Sequence, residues 1–532
     1  MRRGDLALAL ILSIFLLASS AECCVEVRAE MIEEKIDKGG PIEYDDMIIL
    51  GSLNLSGRTL NSVHFNKTVF CGSVNFDDAD FIGEAWFSEA NFSSDVKLIG
   101  ANFSDNVYFS KAQFNSNVSF LFSEFYGDAE FDDVIFNGEL EFEHAQFNKG
   151  VIFKNAKFCF PSFFYDAVFS GTADFQNVQF INVADFTRAH FANGVCFYNA
   201  QFSGNTIFVN AQFGGKDEGR CANFDLAKFI GKDDVEGRCA NFEGSQFHAN
   251  VSFNKVMFLC DVGLNKINFT ADCSFDKSQF NRTADFSESI FNRNASFKET
   301  HFFGDAHFDK STFNKIANFE DARFPEYAFF EYVTFTDTSK ICLNRTRYEK
   351  LLLRWNYVEY KDSYSKFKNP FRRSDDVKLV FNGEVYLKLI KNYRDLGWFE
   401  DSNQCYFYFM NGRECKGEMQ ICGPVLKYIY GYGTKPMRPI WLSILVILSC
   451  AYIWNRYYRK EIKAATRWDS LRFSIRLFLS GTKLSIEPPK NEPKPTAPFW
   501  ARTLFEAERV AASILFFFFL FAASASLLIK VT

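Results

Sequence analysis

Gly431, Tyr432 and Gly433 sit in the run KYIYGYGTKPMRPIW (427–441), where stacked backbone carbonyls could replace the hydration shell of a cation. Asp174 and Asp185, like Glu130 and Glu141, are carboxylates eleven residues apart, the side-chain type that glycoside hydrolysis needs at a fixed separation. Asp217, Glu218, Asp233, Asp234 and Glu236 fall in two near-copies, GGKDEGRCANF (214–224) and GKDDVEGRCANF (231–242). Those acids could hold a cation, Cys221 and Cys239 could form a disulfide, and the bland alternative is a slipped duplication bulging from a regular array. Six histidines, His64, His144, His190, His248, His301 and His307, are scattered, and most flank a Phe. No nucleophile motif, phosphate loop or zinc-ligand spacing occurs. What each group can do depends on the element that carries it.

That element is announced by 67 Phe in 532 residues, too many for ordinary core packing and expected of a residue fixed in a repeat. Apolar positions first recur every five residues, at Leu50, Leu55, Leu60, Phe65 and Phe70. Steps of six and five then alternate through Phe76, Phe81, Phe87, Phe92, Leu98, Phe103, Phe109, Phe114, Phe120 and Phe125, and on to Phe213. After the two charged interruptions the pattern resumes at Phe242 and Phe247 and runs to Phe330 and Phe335. Two residues before each sits a small or β-branched one, such as Ala79, Ala85, Ala90 and Val96, so both face inward from a strand. The eleven-residue unit is not a right-handed coiled coil. Its inward offsets, taken at about 100° per residue, land near 0°, 200°, 140° and 340° and make no stripe. Turn residues recur in nearly every unit, as in FIGEAWF and FSGTADF, and would be costly inside a helix.

Units such as SEANF, GANFS, TADFQ, CANFD and IANFE resemble pentapeptide-repeat proteins across about residues 48–337. The resemblance implies a mainly β fold, a right-handed quadrilateral β-helix with one pentapeptide per face, here with one residue added at every second corner. Coils of 22 residues are therefore expected, about 12 of them, in a rod near 60 Å long. In such a coil the eleven-residue carboxylate pairs fall on opposite faces and share no substrate, and the histidines are surface-ladder residues. Neither a catalytic residue nor a cofactor is implied. Relatives that are cytosolic and acidic mimic DNA, whereas an exported rod would meet no nucleic acid.

Export is read from MRRGDLALALILSIFLLASSAECC, in which Arg2 and Arg3 precede an apolar run from Leu6 to Leu17 and small residues end at Ala21. A run of about twelve is too short to cross a bilayer. Sequons at Asn54, Asn66, Asn91, Asn102, Asn117, Asn250, Asn268, Asn281, Asn294 and Asn344 permit N-glycosylation. The net charge of −6 favours neither nucleic acid nor anionic lipid.

The expected order is a signal peptide (1–21), an N-terminal cap (22–47), the repeat rod (48–337), an α-helical neck (338–430), a hinge (431–439), a first span (440–455), a cytoplasmic linker (456–509) and a second span (510–529). Arg456, Arg459, Lys460, Lys463, Arg467, Arg472 and Arg476 place the linker inside and the rod outside. The order RYEKL, RWN, LIKNYRDLGWFEDSNQCYF, GYGTKP and two spans is similar to archaeal pentapeptide-repeat membrane proteins whose C-terminus resembles a two-helix ion-channel pore module. Their filter lies between the spans, where DSLRFSIRLFLSGTKLSIEPP (469–489) has no Gly-Tyr-Gly and Ser480-Gly481-Thr482 is the nearest remnant. The Gly-Tyr-Gly of this chain precedes the first span and reads as a hinge. The expectation is a non-enzymatic protein anchored in the lipid bilayer, presenting its rod to a protein or envelope partner, with homo-oligomers formed through the membrane helices. The alternative is a degenerate channel-like transport or sensing module gated by the rod.

Overall fold

The computed structural model describes residues 25–214, 222–231, 238–324, 327–359 and 377–415, and from 423 to 531 all but 458, 461, 465, 483, 485, 491–492 and 494–496. The expected signal peptide lies outside the described residues. Two compact units result, Met1–Leu353 and Arg354–Thr532.

The first unit is a parallel β-solenoid of four sheets, with 13, 14, 14 and 13 strands, in which each strand away from the two ends pairs with the fourth strand before and after it. Most strands are two residues long, one side chain inward and one outward. Register follows the repeat: Ala85 pairs with Val107 and Val107 with Ala129, while Phe92 pairs with Phe114 and Phe114 with Phe136. The charged interruptions are absorbed without loss of register, since Val195 pairs with Ala222 and Thr206 with Ala240.

All nine Phe of the ladder from Phe76 to Phe125 are buried. Rings stack along the rod, as Phe92 on Phe114 at 4.7 Å and 1°, and meet edge to face across it, as Phe109 on Phe120 at 5.9 Å and 83°. Both are the arrangements that an aromatic quadrupole favours. At several inward positions taken by Ser or Thr the hydroxyl donates to a carbonyl of the coil below, as Thr68 to Tyr44 at 2.6 Å and Ser289 to Leu264 at 2.7 Å, whereas Ser162 and Ser311 donate within their own coil. The buried hydroxyl of Thr206, at the same kind of position, has no hydrogen-bond partner among the described residues.

Corners alternate in kind. The five-residue step holds a residue with positive φ, such as Glu89, Lys111, Asp133 and Asn155, in each coil. The six-residue step passes close over the coil below, and a Cβ on Gly138 would lie 2.2 Å from the Ser116 carbonyl.

The solenoid is longer than expected at both ends. It opens with the strand Val25–Arg28 and the helix α1 (Ala29–Asp37), whose Ala29 and Ile32 are buried. It continues past residue 337 through Lys340–Cys342 and Lys350–Leu352, where Ala328 pairs with Leu351. Residues 340–352, read as the start of a helical neck, therefore add coil instead.

The second unit is helical: α2 (Trp355–Val358), α3 (Gly383–Asp395), α4 (Phe399–Cys415), α5 (Gly423–Tyr430), α6 (Met437–Tyr457), α7 (Arg467–Gly481) and α8 (Phe499–Val531). Asn382 caps α3 by accepting from Glu384 N at 3.0 Å, and Gly397, at φ 72°, makes the turn into α4. The helices α6, α7 and α8 pack on one another pairwise.

Candidate functional site

The outer face of the solenoid is a set of ladders spaced one coil apart. Asp174 and Asp185 stand on two different sheets with a strand of a third between them, as do Glu130 and Glu141. Each Asp is engaged locally, accepting from Gln176 N at 2.9 Å and Thr187 N at 2.8 Å. The histidines join ladders too: His64 stacks on Trp86, His144 on Phe122 and His307 on Phe329. A hydrogen bond from the ring Nδ1 of His307 to the Asp309 carboxylate, 3.2 Å away, holds the pKa of His307 above its usual range.

Salt bridges span coils. Arg238 reaches Asp285 at 2.6 Å, and Lys266 reaches Glu243 at 2.7 Å, which lowers the Glu243 carboxyl. Cys239 is joined to Cys260, with Cα atoms 5.9 Å apart. Cys239 thus pairs with the neighbouring coil and not with Cys221, the partner that the sequence offers as one possibility; Cys221 lies outside the described residues. So do Asp217, Glu218, Asp233, Asp234 and Glu236. Among the described residues no group of three or more His, Cys, Asp or Glu could hold a metal.

In the second unit, chemistry converges where three helices meet. Glu508 of α8 is 1% exposed. Its carboxylate accepts from Trp454 Nε1 of α6 at 2.9 Å and from the Ser474 hydroxyl of α7. Ser474 Oγ also lies 2.9 Å from the Ile447 carbonyl, halfway along α6, and the Ser513 hydroxyl of α8 donates to the Gly481 carbonyl. The segment read as a linker is therefore a helix wedged between its neighbours. It starts at a capping box of Thr466 and Asp469 and buries Phe473, Leu477 and Phe478. The sequence singles out neither Glu508 nor Ser474, and it reads Trp454, with Trp441, as an interfacial anchor of the first span, whereas Trp454 is fully buried. The available signal was that capping box and the four-residue spacing of Ser470, Ser474 and Phe478, masked by Arg472 and Arg476.

Gly431–Gly433 is a single tight turn between α5 and α6, with Tyr432 at φ 53° and buried. Thr434 Oγ1 lies 2.7 Å from the Gly431 carbonyl, so that oxygen is turned into the chain.

Comparison with known proteins identifies the repeat. The family described as Pentapeptide repeats matches in nine copies, over residues 60–101, 98–146, 109–157, 164–212, 264–312 and 297–339. The repeats of the rod are pentapeptide repeats. No curated protein and no solved structure matches the chain.

The pentapeptide ladder also sorts the sequons. Asn91, Asn102 and Asn268 are half-buried strand residues whose amides join cross-coil bonds, as Asn115 Nδ2 to Asn91 Oδ1 at 2.8 Å. Asn117, Asn250 and Asn294 are exposed at corners but accept from backbone N–H groups of the next coil, at 3.0, 3.1 and 3.4 Å. Asn281 is exposed at a corner without such a bond among the described residues.

Proposed function

We propose that this chain is a non-enzymatic, membrane-anchored protein that presents a right-handed, four-sided pentapeptide-repeat rod outside the cell as a scaffold for a protein or envelope partner. The observation that carries the reading is a pair of apolar stripes. On α6, Trp441, Leu445, Leu448 and Tyr452 are exposed at spacings of four, three and four residues; Val510, Ile514, Phe517 and Phe521 repeat this on α8. Such stripes suit lipid or a second copy of the bundle. α6 is the one described helix long and apolar enough to cross a bilayer. The second span we propose, Val510 to Ile529, is drawn from the apolar run of α8, whose side chains are described to Ser524. A protease site placed in the segment 488–498 tests the topology. Protection in right-side-out cells supports an external rod, and cleavage there refutes it.

A second reading rests on α7. A helix returning to mid-depth between two spans is the layout of a pore module, and the rod could gate an oligomer of such modules. Ion flux in reconstituted vesicles, abolished by substitutions within 469–489, would favour it over the scaffold.

A further inference from the structure

Several basic residues on the rod are matched, one coil away, to an acid. Arg188 meets Asp166, Lys310 meets Glu288 at 3.1 Å, and Lys298 meets Glu320 at 3.8 Å. The ladder His301, Arg323, Arg347 breaks that pattern. Parallel bridges hold these three residues in register on successive coils, about 4.8 Å apart. Arg323 N bonds the Thr300 carbonyl at 2.9 Å and Arg347 N bonds the Ala322 carbonyl at 2.8 Å, so neither arginine can slip out of line.

These residues line a cleft of about 520 Å³ with Lys277, Glu299, Asp321 and Arg345. Both acids there are engaged, Glu299 by Lys277 at 3.7 Å and Asp321 by Arg345 at 2.6 Å. The nearby Glu320 is held by Arg345 at 2.8 Å and by Lys298. Arg323 and Arg347 form no salt bridge among the described residues, and both are exposed. Like charges on neighbouring strands repel. Burial, then the fields of Arg323 and Arg347, hold the His301 imidazole below its usual range despite Glu299.

We propose that Arg323 and Arg347, with His301 beside them, bind a tetrahedral oxyanion, a phosphate or sulfate group. One guanidinium fork already satisfies a planar carboxylate, whereas a tetrahedral anion can offer oxygens to two forks stacked one coil apart. The site belongs to the rod and stands whichever side of a membrane the rod occupies.

The test is isothermal titration of the full chain in neutral detergent with inorganic phosphate and with sulfate, against chloride at matched ionic strength. The expected result is saturable binding of one oxyanion per chain. Affinity should fall about tenfold in Arg323→Gln and in Arg347→Gln and stay unchanged in Lys97→Gln on another sheet. Removing a like-charge neighbour should leave the melting temperature equal or higher, so loss of binding would not reflect misfolding. Glycerophosphoglycerol, a phosphodiester headgroup without acyl chains, separates the sources. Binding as tight as that of phosphate supports the site with a lipid as its ligand; binding of the free dianions alone supports it with a soluble one. Heats that do not saturate, or saturable binding that survives the double substitution, overturn the proposal.

Discussion

At the residue scale the rod asks each position for one property, and departures are informative. Leu226 occupies a corner at φ 62°, where most coils place Asn, Asp, Lys or Glu. A side chain that tolerates the left-handed region less well is strained there by roughly 1 kcal/mol. Leu226→Asn is therefore expected to raise the melting temperature of the rod, measured by circular dichroism. Phe120 has the opposite status: it is fully buried, stacked on Phe142 at 4.5 Å and edge-on to Phe131 at 5.7 Å. Phe120→Ala should cost about 3–5 kcal/mol in chemical denaturation. His307 gives a pH signature. Its folded pKa lies above its unfolded value because of Asp309, so the stability it contributes is fully present below about pH 6.5 and lost as pH rises through the folded pKa. The melting temperature should fall between about pH 6 and pH 8, and Asp309→Asn should flatten that slope.

At the scale of elements, the sequence was legible wherever packing is local and repeated. The eleven-residue period, the inward pair and the two corner kinds could all be read, because each coil imposes the same demand on the next. The ends were harder to read. Lys350–Leu352 belongs to RYEKLLLRW, which has helix-forming residues but also buries Leu351 and Leu353 in a period of two. The open sheet edge of the coil below supplies backbone partners, and that template outweighs propensity. Helix α7 was missed for a different reason. Its buried face is built from Ser470, Ser474 and Gly481 as well as Phe473 and Leu477, and small residues that admit close helix contact carry little hydropathy signal. Glu508 tests whether that bundle depends on its polar centre. Glu508→Leu removes the acceptor of Trp454 and Ser474 and should cost about 1–3 kcal/mol, while Glu508→Gln keeps an acceptor oxygen and should restore most of it. Thermal unfolding in detergent reads both, and a Leu variant as stable as the parent would mean that apolar packing alone holds the three helices.

For the rod as a whole, strands pair only between adjacent coils, so length and stability are nearly separable. Deleting residues 127–148 removes one 22-residue coil and joins Tyr126 to Lys149 within the same kind of six-residue corner. Each later strand then lands on the partner its sequence already fits, Phe over Phe and corner over corner. The shortened rod should fold and melt within a few degrees of the parent. Deleting only residues 127–131 removes a single face and sets six-residue corners over five-residue ones through the rest of the solenoid. Positive-φ positions would then fall where the chain below crosses closest, as Gly138 does over Ser116, and the Phe columns would lose alignment. That smaller deletion should be the more damaging, with loss of the cooperative transition seen by circular dichroism. If instead both deletions were equally tolerated, the corner alternation would not set the register, and the stacking of Phe alone would have to account for it.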